Sequence, residues 1–125
     1  MRKKECFTLP RMVAGPYSSV VRAGDFVFTS GIGGAVDAEG NPVEGIENQT
    51  RQCLENLKEM LEATGTSLIN VVKVVVFLTK AEDWSRMNEI YKEYFPTDCP
   101  ARTAVVTGLV KPDMLVEMES IAYKS

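Results

Sequence analysis

A chain of 125 residues, 45% hydrophobic and 25% charged, has room for one core and little beside it, with the composition of a folded globular protein. Its formal charge of −3, from 14 basic and 17 acidic residues, offers no broad cationic surface to hold a phosphate backbone, which disfavours nucleic acid as a partner. Histidine is absent, so Ser-His-Asp and Cys-His nucleophile pairs and every His-containing metal site are excluded, and proton transfer falls to Glu, Asp, Lys, Tyr, Cys or water.

Three widely spaced cysteines, Cys6, Cys53 and Cys99, form no CxxC and no even set. That argues against a disulfide framework or a zinc site and fits a reducing cytosol. Met1-Arg2-Lys3-Lys4 is basic, but the apolar segment of a signal peptide does not follow it, and no run approaches the length of a membrane span. A cytoplasmic protein without a membrane partner is expected. An all-carboxylate magnesium or calcium site would call for an Asp-rich loop, and none is present.

Residues 1–9 read as a short edge strand ended by Pro10. Gly15-Pro16-Tyr17 then punctuates a loop and holds a tyrosine at a defined place. The Val- and Phe-rich stretches 19–23 and 25–32 flank Gly24 and predict a hairpin. It runs into Thr29-Ser30-Gly31-Ile32-Gly33-Gly34, where three glycines in four positions permit close approach of a ligand and present NH groups to an anion. The run completes neither GxGxxG nor GK[ST], so a strand end requiring positive φ is its simplest explanation. Asp37 to Pro42 is a turn by composition.

Over residues 46–64, Ile46, Cys53, Leu54, Leu57, Met60 and Leu61 recur at helical spacing, with Gly65 as the C′ residue. Cys53 lies on that stripe and so reads as a small core residue, not a reactive thiol. Residues 71–78 are almost continuously apolar, interrupted only by Lys73, and predict a strand buried on both faces at the centre of the sheet. Thr79-Lys80-Ala81-Glu82 fits a capping box, with Thr79 as N-cap of a second helix. Trp84, Met87, Tyr91, Tyr94 and Phe95 form its apolar face and read as core. Asn88, one turn from Trp84, carries an amide that must find partners or face a cavity.

Two strands close the chain. Arg102 follows Pro100 and shares its face with Ala104 and Val106, while Glu119 shares its face with Leu115, Glu117, Ile121 and Tyr123. A charge on an apolar strand face is costly unless it is paired or used. With the two strands expected side by side, Arg102 and Glu119 read as a structural ion pair, the simpler account, or as a site. The order strand, hairpin, helix, strand, helix, strand, strand predicts an α+β single domain: a mixed sheet with both helices on one face. The other face, apolar and bare, predicts a homo-oligomer.

Taken together, Gly15-Pro16-Tyr17, Thr29-Ser30-Gly31, the strand at 71–78, Asn88 and Tyr91, Pro100-Ala101-Arg102 and Glu117-Met118-Glu119-Ser120-Ile121-Ala122 resemble the RidA/YjgF family of imine and enamine deaminases. The resemblance covers essentially the whole chain. It implies a chorismate-mutase-like α+β fold assembled as a homotrimer, with sites in the clefts between subunits. It also implies hydrolysis of 2-imino acids or their enamine tautomers, such as 2-iminopropionate derived from 2-aminoacrylate, to 2-keto acids and ammonia without a cofactor. On this resemblance Arg102 anchors the substrate carboxylate, and Glu119 positions water and moves its proton. Tyr17, Ser30 and Asn88 line the site, and Gly31 and the backbone NH of Ala104 complete the cradle.

Two departures stand out. Ile32-Gly33-Gly34 replaces the Gln-Ile-Pro that follows Ser-Gly in many members, and Ala104 stands where many carry cysteine. Hydrolysis by water needs no thiol; the glycine run bears on pocket shape and hence on the side chain accepted. Two other functions compete: a regulatory trimer that binds a small carboxylate without turnover, and a translation inhibitor or endoribonuclease. The acidic balance and the missing histidine weigh against the last.

Overall fold

The first three strands, β1 (Glu5–Phe7), β2 (Val20–Ala23) and β3 (Phe26–Thr29), pair in succession as an antiparallel meander. The tight β2–β3 turn uses Gly24 at a φ of 61°, where a side chain would be strained. The structure, a computed structural model, describes residues 3–124; the Met1-Arg2 start of the basic opening lies outside them. Beyond a two-residue strand, β4 (Ile32–Gly33), the chain continues through α1 (Ile46–Glu62), β5 (Val71–Leu78), α2 (Trp84–Tyr94), β6 (Ala101–Val106) and β7 (Val116–Tyr123).

The sheet order is β1-β2-β3-β7-β5-β6, with β4 also paired to β7. Only β5 and β6, joined through α2, run parallel; every other pairing is antiparallel. The fold is therefore α+β with a mixed sheet and two helices on one face, as the order of elements predicts.

Alternation decides which face is buried. Val74, Val76 and Leu78 of β5 and Val116, Met118, Ser120 and Ala122 of β7 turn to the helices and are buried. Against them lies the expected stripe of α1, from Ile46 through Cys53, Leu54, Leu57 and Met60 to Leu61, together with Met87, Ile90 and Tyr91 of α2. Truncating a residue such as Leu57, which is fully buried, to alanine costs about 2–5 kcal/mol on the usual scale for such sites. Gly65 (φ 85°) ends α1 in a Schellman arrangement, the Thr66 N–H reaching the Leu61 carbonyl and the Gly65 N–H that of Glu62. Cys53 is a core residue whose Sγ donates to the Ile32 carbonyl, and burial pushes its thiol up to about 12.

Several local expectations are corrected. Strand β5 lies inside the sheet but next to the edge strand β6, not at the centre, and only its helix face is covered; Val75 and Phe77 on the other face are half-buried, and Val72 is exposed. The second helix has no capping box. Thr79 still belongs to the extended chain leaving β5, donating its N–H to the Leu115 carbonyl, and its buried Oγ1 has no partner among the described residues. A 3₁₀ turn at Ala81–Asp83 starts the helix instead, and its N-cap Lys80 has no side-chain acceptor to offer. The stretch read as one strand over 25–32 is split into β3 and β4, and β6 and β7 are not neighbours, because β5 runs between them. The glycine run takes no positive φ. Its glycines are required by close packing: a Cβ on Gly33 would collide with the Met114 methyl, and one on Gly34 with the Gln49 carbonyl and the Cys53 amide of α1.

Candidate functional site

Residues 29–31 hold an irregularity that shapes one half of the site. Phe28 stands opposite Ile121 and Ile32 opposite Met118, so three residues, 29–31, face only two, 119 and 120. Thr29 keeps its place beside Ser120, its Oγ1 accepting the Ser120 N–H (2.9 Å) and lying 3.1 Å from the Ser120 hydroxyl. Ser30 and Gly31 therefore share the position opposite Glu119 as a bulge, a device that re-aims strand residues beside functional sites. Helix α1 fixes the bulge from behind, with Asn56 Nδ2 donating to the Gly33 carbonyl (2.9 Å) and Cys53 Sγ to that of Ile32 (3.1 Å).

The bulge brings sequence-predicted residues together. Ser30 donates its hydroxyl to the Ser18 carbonyl (2.6 Å), next in the chain to Tyr17. The Tyr17 hydroxyl accepts the Ala14 N–H (3.0 Å), which holds the exposed ring on its Gly-Pro loop. Gly31 lies under Glu117: a Cβ there would stand 2.5 Å from Glu117 Oε2. Glu117 and Glu119, two apart on β7, share the uncovered face. Burial, and secondarily the Glu119 charge, raise the Glu117 pKa above the usual carboxylate value. Glu117 was visible in the sequence only as a neighbour of Glu119; its signal was a second carboxylate at period two.

Arg102 lies elsewhere. It pairs in register with Val74, which pairs with Ser120, whereas Glu119 lies in the adjoining row with Val75 and Thr103. Adjacent rows point to opposite faces, so Arg102 turns to the helix side of edge strand β6 and Glu119 to the open side. Arg102 and Glu119 therefore form no ion pair within one chain, where the two residues do not converge. The Arg102 guanidinium is stacked instead between aromatic rings of α2, 4.9 Å from the Trp84 centroid and 4.7 Å from that of Tyr91, and it forms no ion pair among the described residues.

Trp84 and Tyr91 were expected as core. Tyr91 is buried, its hydroxyl without a partner among the described residues and its phenol pushed up to about 12 by burial against the opposing pull of Arg102. Trp84 is 46% exposed. Asn88 lies between them at helical spacing, half-buried, its amide unbonded among the described residues. Ala104, two residues beyond Arg102 on the same face, lines a cavity of about 220 Å³. No group of three or more Cys, Asp or Glu among the described residues could hold a metal ion.

Residues 9–124 match the model of the family described as Endoribonuclease L-PSP. The chain belongs to this family, the RidA/YjgF family. Its relatives include the chloroplastic Reactive Intermediate Deaminase A of Arabidopsis thaliana, 37% identical over 123 residues, covering 96% of this chain and 66% of that one. The 3-aminoacrylate deaminase RutC of Acinetobacter baylyi is 40% identical over 111 residues, 86% of each chain. Among solved structures, that of Escherichia coli TdcF with bound serine superposes with a TM-score of 0.88 at 31% identity, covering 97% of this chain and 100% of that one. Deaminase-type activity is thus present in the family, beside the endoribonuclease description. No helix among the described residues is long and apolar enough to cross a membrane.

Proposed function

We propose that the protein is a hydrolytic deaminase of 2-imino acids and their enamine tautomers, working without a cofactor at sites where the Arg102 half of one subunit meets the Glu119 half of the next in a homotrimer. The observation that carries this reading is that Arg102 and Glu119 lie on opposite faces of one sheet, each without an ionic partner among the described residues. Two charges placed apart and left unpaired suit a substrate bound between copies. The open face supplies a surface for the second copy: Phe26, Phe28 and Tyr123 stand there largely exposed.

In the proposed reaction Arg102 clamps the substrate carboxylate through two parallel N–H donors and sets the C=N carbon in place. Glu119, as carboxylate, takes a proton from water as the oxygen bonds to that carbon and the C=N electron pair moves to nitrogen, which gains a proton. The resulting carbinolamine expels ammonia when its nitrogen takes up the proton held by Glu119 and its hydroxyl proton goes to the group that first protonated the nitrogen, leaving a 2-keto acid and both groups as they began. Glu117, whose raised pKa favours holding a proton beside Glu119, is suited to supply protons to nitrogen. A second reading, a trimer that binds a small carboxylate without turnover, is favoured by the serine bound to the Escherichia coli relative.

The deciding experiment measures hydrolysis of imino acids generated in situ, on metal-free protein whose mass is established by light scattering. Turnover by a trimer is expected. Arg102→Ala and Glu119→Gln, each inactive as a homotrimer, should regain activity when unfolded and refolded together, since about a quarter of the mixed sites then carry both native residues. A monomer, or mixtures as inactive as the separate variants, would overturn the shared site. Carboxylate binding without turnover of any imine would favour the second reading.

A further inference from the structure

The cavity that Ala104 lines is apolar throughout: Leu78, Ala81, Trp84, Val105 and Val106 complete its wall. It lies at the edge of the sheet, under the 3₁₀ turn that opens α2, and Trp84 is common to it and to the Arg102 stack. A guanidinium without an anion among the described residues thus stands beside an apolar hollow of about 220 Å³, with one indole ring connecting the two. A ligand that satisfies both must carry a carboxylate and, a short distance from it, an apolar group. The hollow is larger than the roughly 150 Å³ that suffices to take up benzene. A single methyl group would leave most of it empty.

We infer that this cavity receives the substrate's side chain and makes the site selective for 2-imino acids with branched or extended apolar side chains over 2-iminopropionate. The inference rests on the proposed function for the identity of the reacting group, and on the Arg102–Trp84 geometry for the subsite. No polar atom need be desolvated without a partner, so selectivity grows with buried side-chain surface, about fourfold per methylene. The alanine at position 104 belongs to the device, because a larger side chain there would project into the hollow.

Trp84 is the chain's one tryptophan, so its fluorescence reports occupancy without any reaction. The probes are 2-hydroxypropanoate and 2-hydroxy-4-methylpentanoate, which share the carboxylate, differ by three carbons and do not absorb where the indole does. Titrated into the intact protein, with calorimetry as a check, the larger acid should bind on the order of 10- to 60-fold more tightly. Ala81→Leu and Val106→Phe, which fill the hollow from two different elements, should each bring that ratio below about 3-fold; having both keeps the test decisive if one fails to fold. Equal affinities in the native protein, no binding of either acid, or a preference that survives both variants would overturn the subsite. Imine hydrolysis is assayed separately. A preference that follows the cavity without turnover would uphold the subsite and sink the deaminase reading, whereas turnover that ignores side-chain size would do the reverse.

Discussion

The two faces of the sheet treat charge in opposite ways. On the helix face Arg102 is enclosed by the rings of Trp84 and Tyr91, which stabilise a cation without supplying an anion. On the open face Glu117 and Glu119 stand together on a bulged strand pair with no cation at ion-pair distance among the described residues. Elsewhere the chain pairs its charges conventionally, Arg11 with Glu59 at 2.8 Å and Arg51 with Glu93 at 2.9 Å. The contrast teaches that the unpaired groups are kept apart by the fold, since they sit on different faces, and that neither can neutralise the other within one chain.

Breaking the carboxylate half should have the largest effect. Glu119→Gln keeps size and hydrogen bonding while removing the base, so kcat for imine hydrolysis should fall on the order of 10² to 10⁴-fold with the circular dichroism spectrum unchanged. Undiminished turnover would assign catalysis elsewhere. The cationic half is broken next: Arg102→Lys replaces a planar fork by a mobile ammonium, and kcat/KM should drop about 10- to 150-fold, the worth of one charge-assisted contact. An imine lacking the carboxylate should feel that substitution little, and equal losses on both substrates would remove Arg102 as the anchor.

The glycines sharpen the comparison further. Gly34→Ala meets backbone of α1 and should lower stability by about 1–3 kcal/mol in denaturant titrations. Gly31→Ala meets only the end of the Glu117 side chain, which can swing away, so its stability should change by less than about 1 kcal/mol while kcat falls by up to about 10²-fold through the displaced carboxylate. Equal stability losses in the two variants would place Gly31 in packing alone.

The smallest effect concerns Glu117 and pH. Its pKa is raised in the folded protein, so its contribution to stability is fully present below the ordinary carboxylate value and is lost as pH rises through the folded value. Glu117→Gln removes a charge held beside Glu119 and should raise Tm at neutral pH by a few degrees at most, solvent on the exposed side screening the repulsion. The gain should vanish as pH falls below the ordinary carboxylate range. A gain that persists there would have another origin.

Much of the fold was legible in the chain. The α1 stripe and its Gly65 terminus, β5 as a strand paired on both sides, the core role of Cys53 and the α+β class all follow from periodicities that operate within one element. Less of the site was. Trp84 and Tyr91 looked like core because an aromatic at helical spacing has the same pattern whether it covers a sheet or a guanidinium. Thr79 looked like a cap because the motif is local, while the strand it continues is held by a bond to Leu115, thirty-six positions away.

By itself the sequence determined which residues were candidates: the charges at 102 and 119 on apolar strands, the tyrosine on its Gly-Pro loop, the Ser-Gly at a strand end, and the amide beside an aromatic stripe. Only the tertiary structure decided how they are grouped. A strand's side chains alternate, so the face a residue occupies depends on its partner across the ladder, and that partner is chosen by long-range pairing. Inserting β5 between β6 and β7 and adding one residue to the β3–β4 edge set Arg102 on one side of the sheet and turned Ser30 and Gly31 toward Glu119 on the other, so that Arg102 and Glu119 do not converge within one chain.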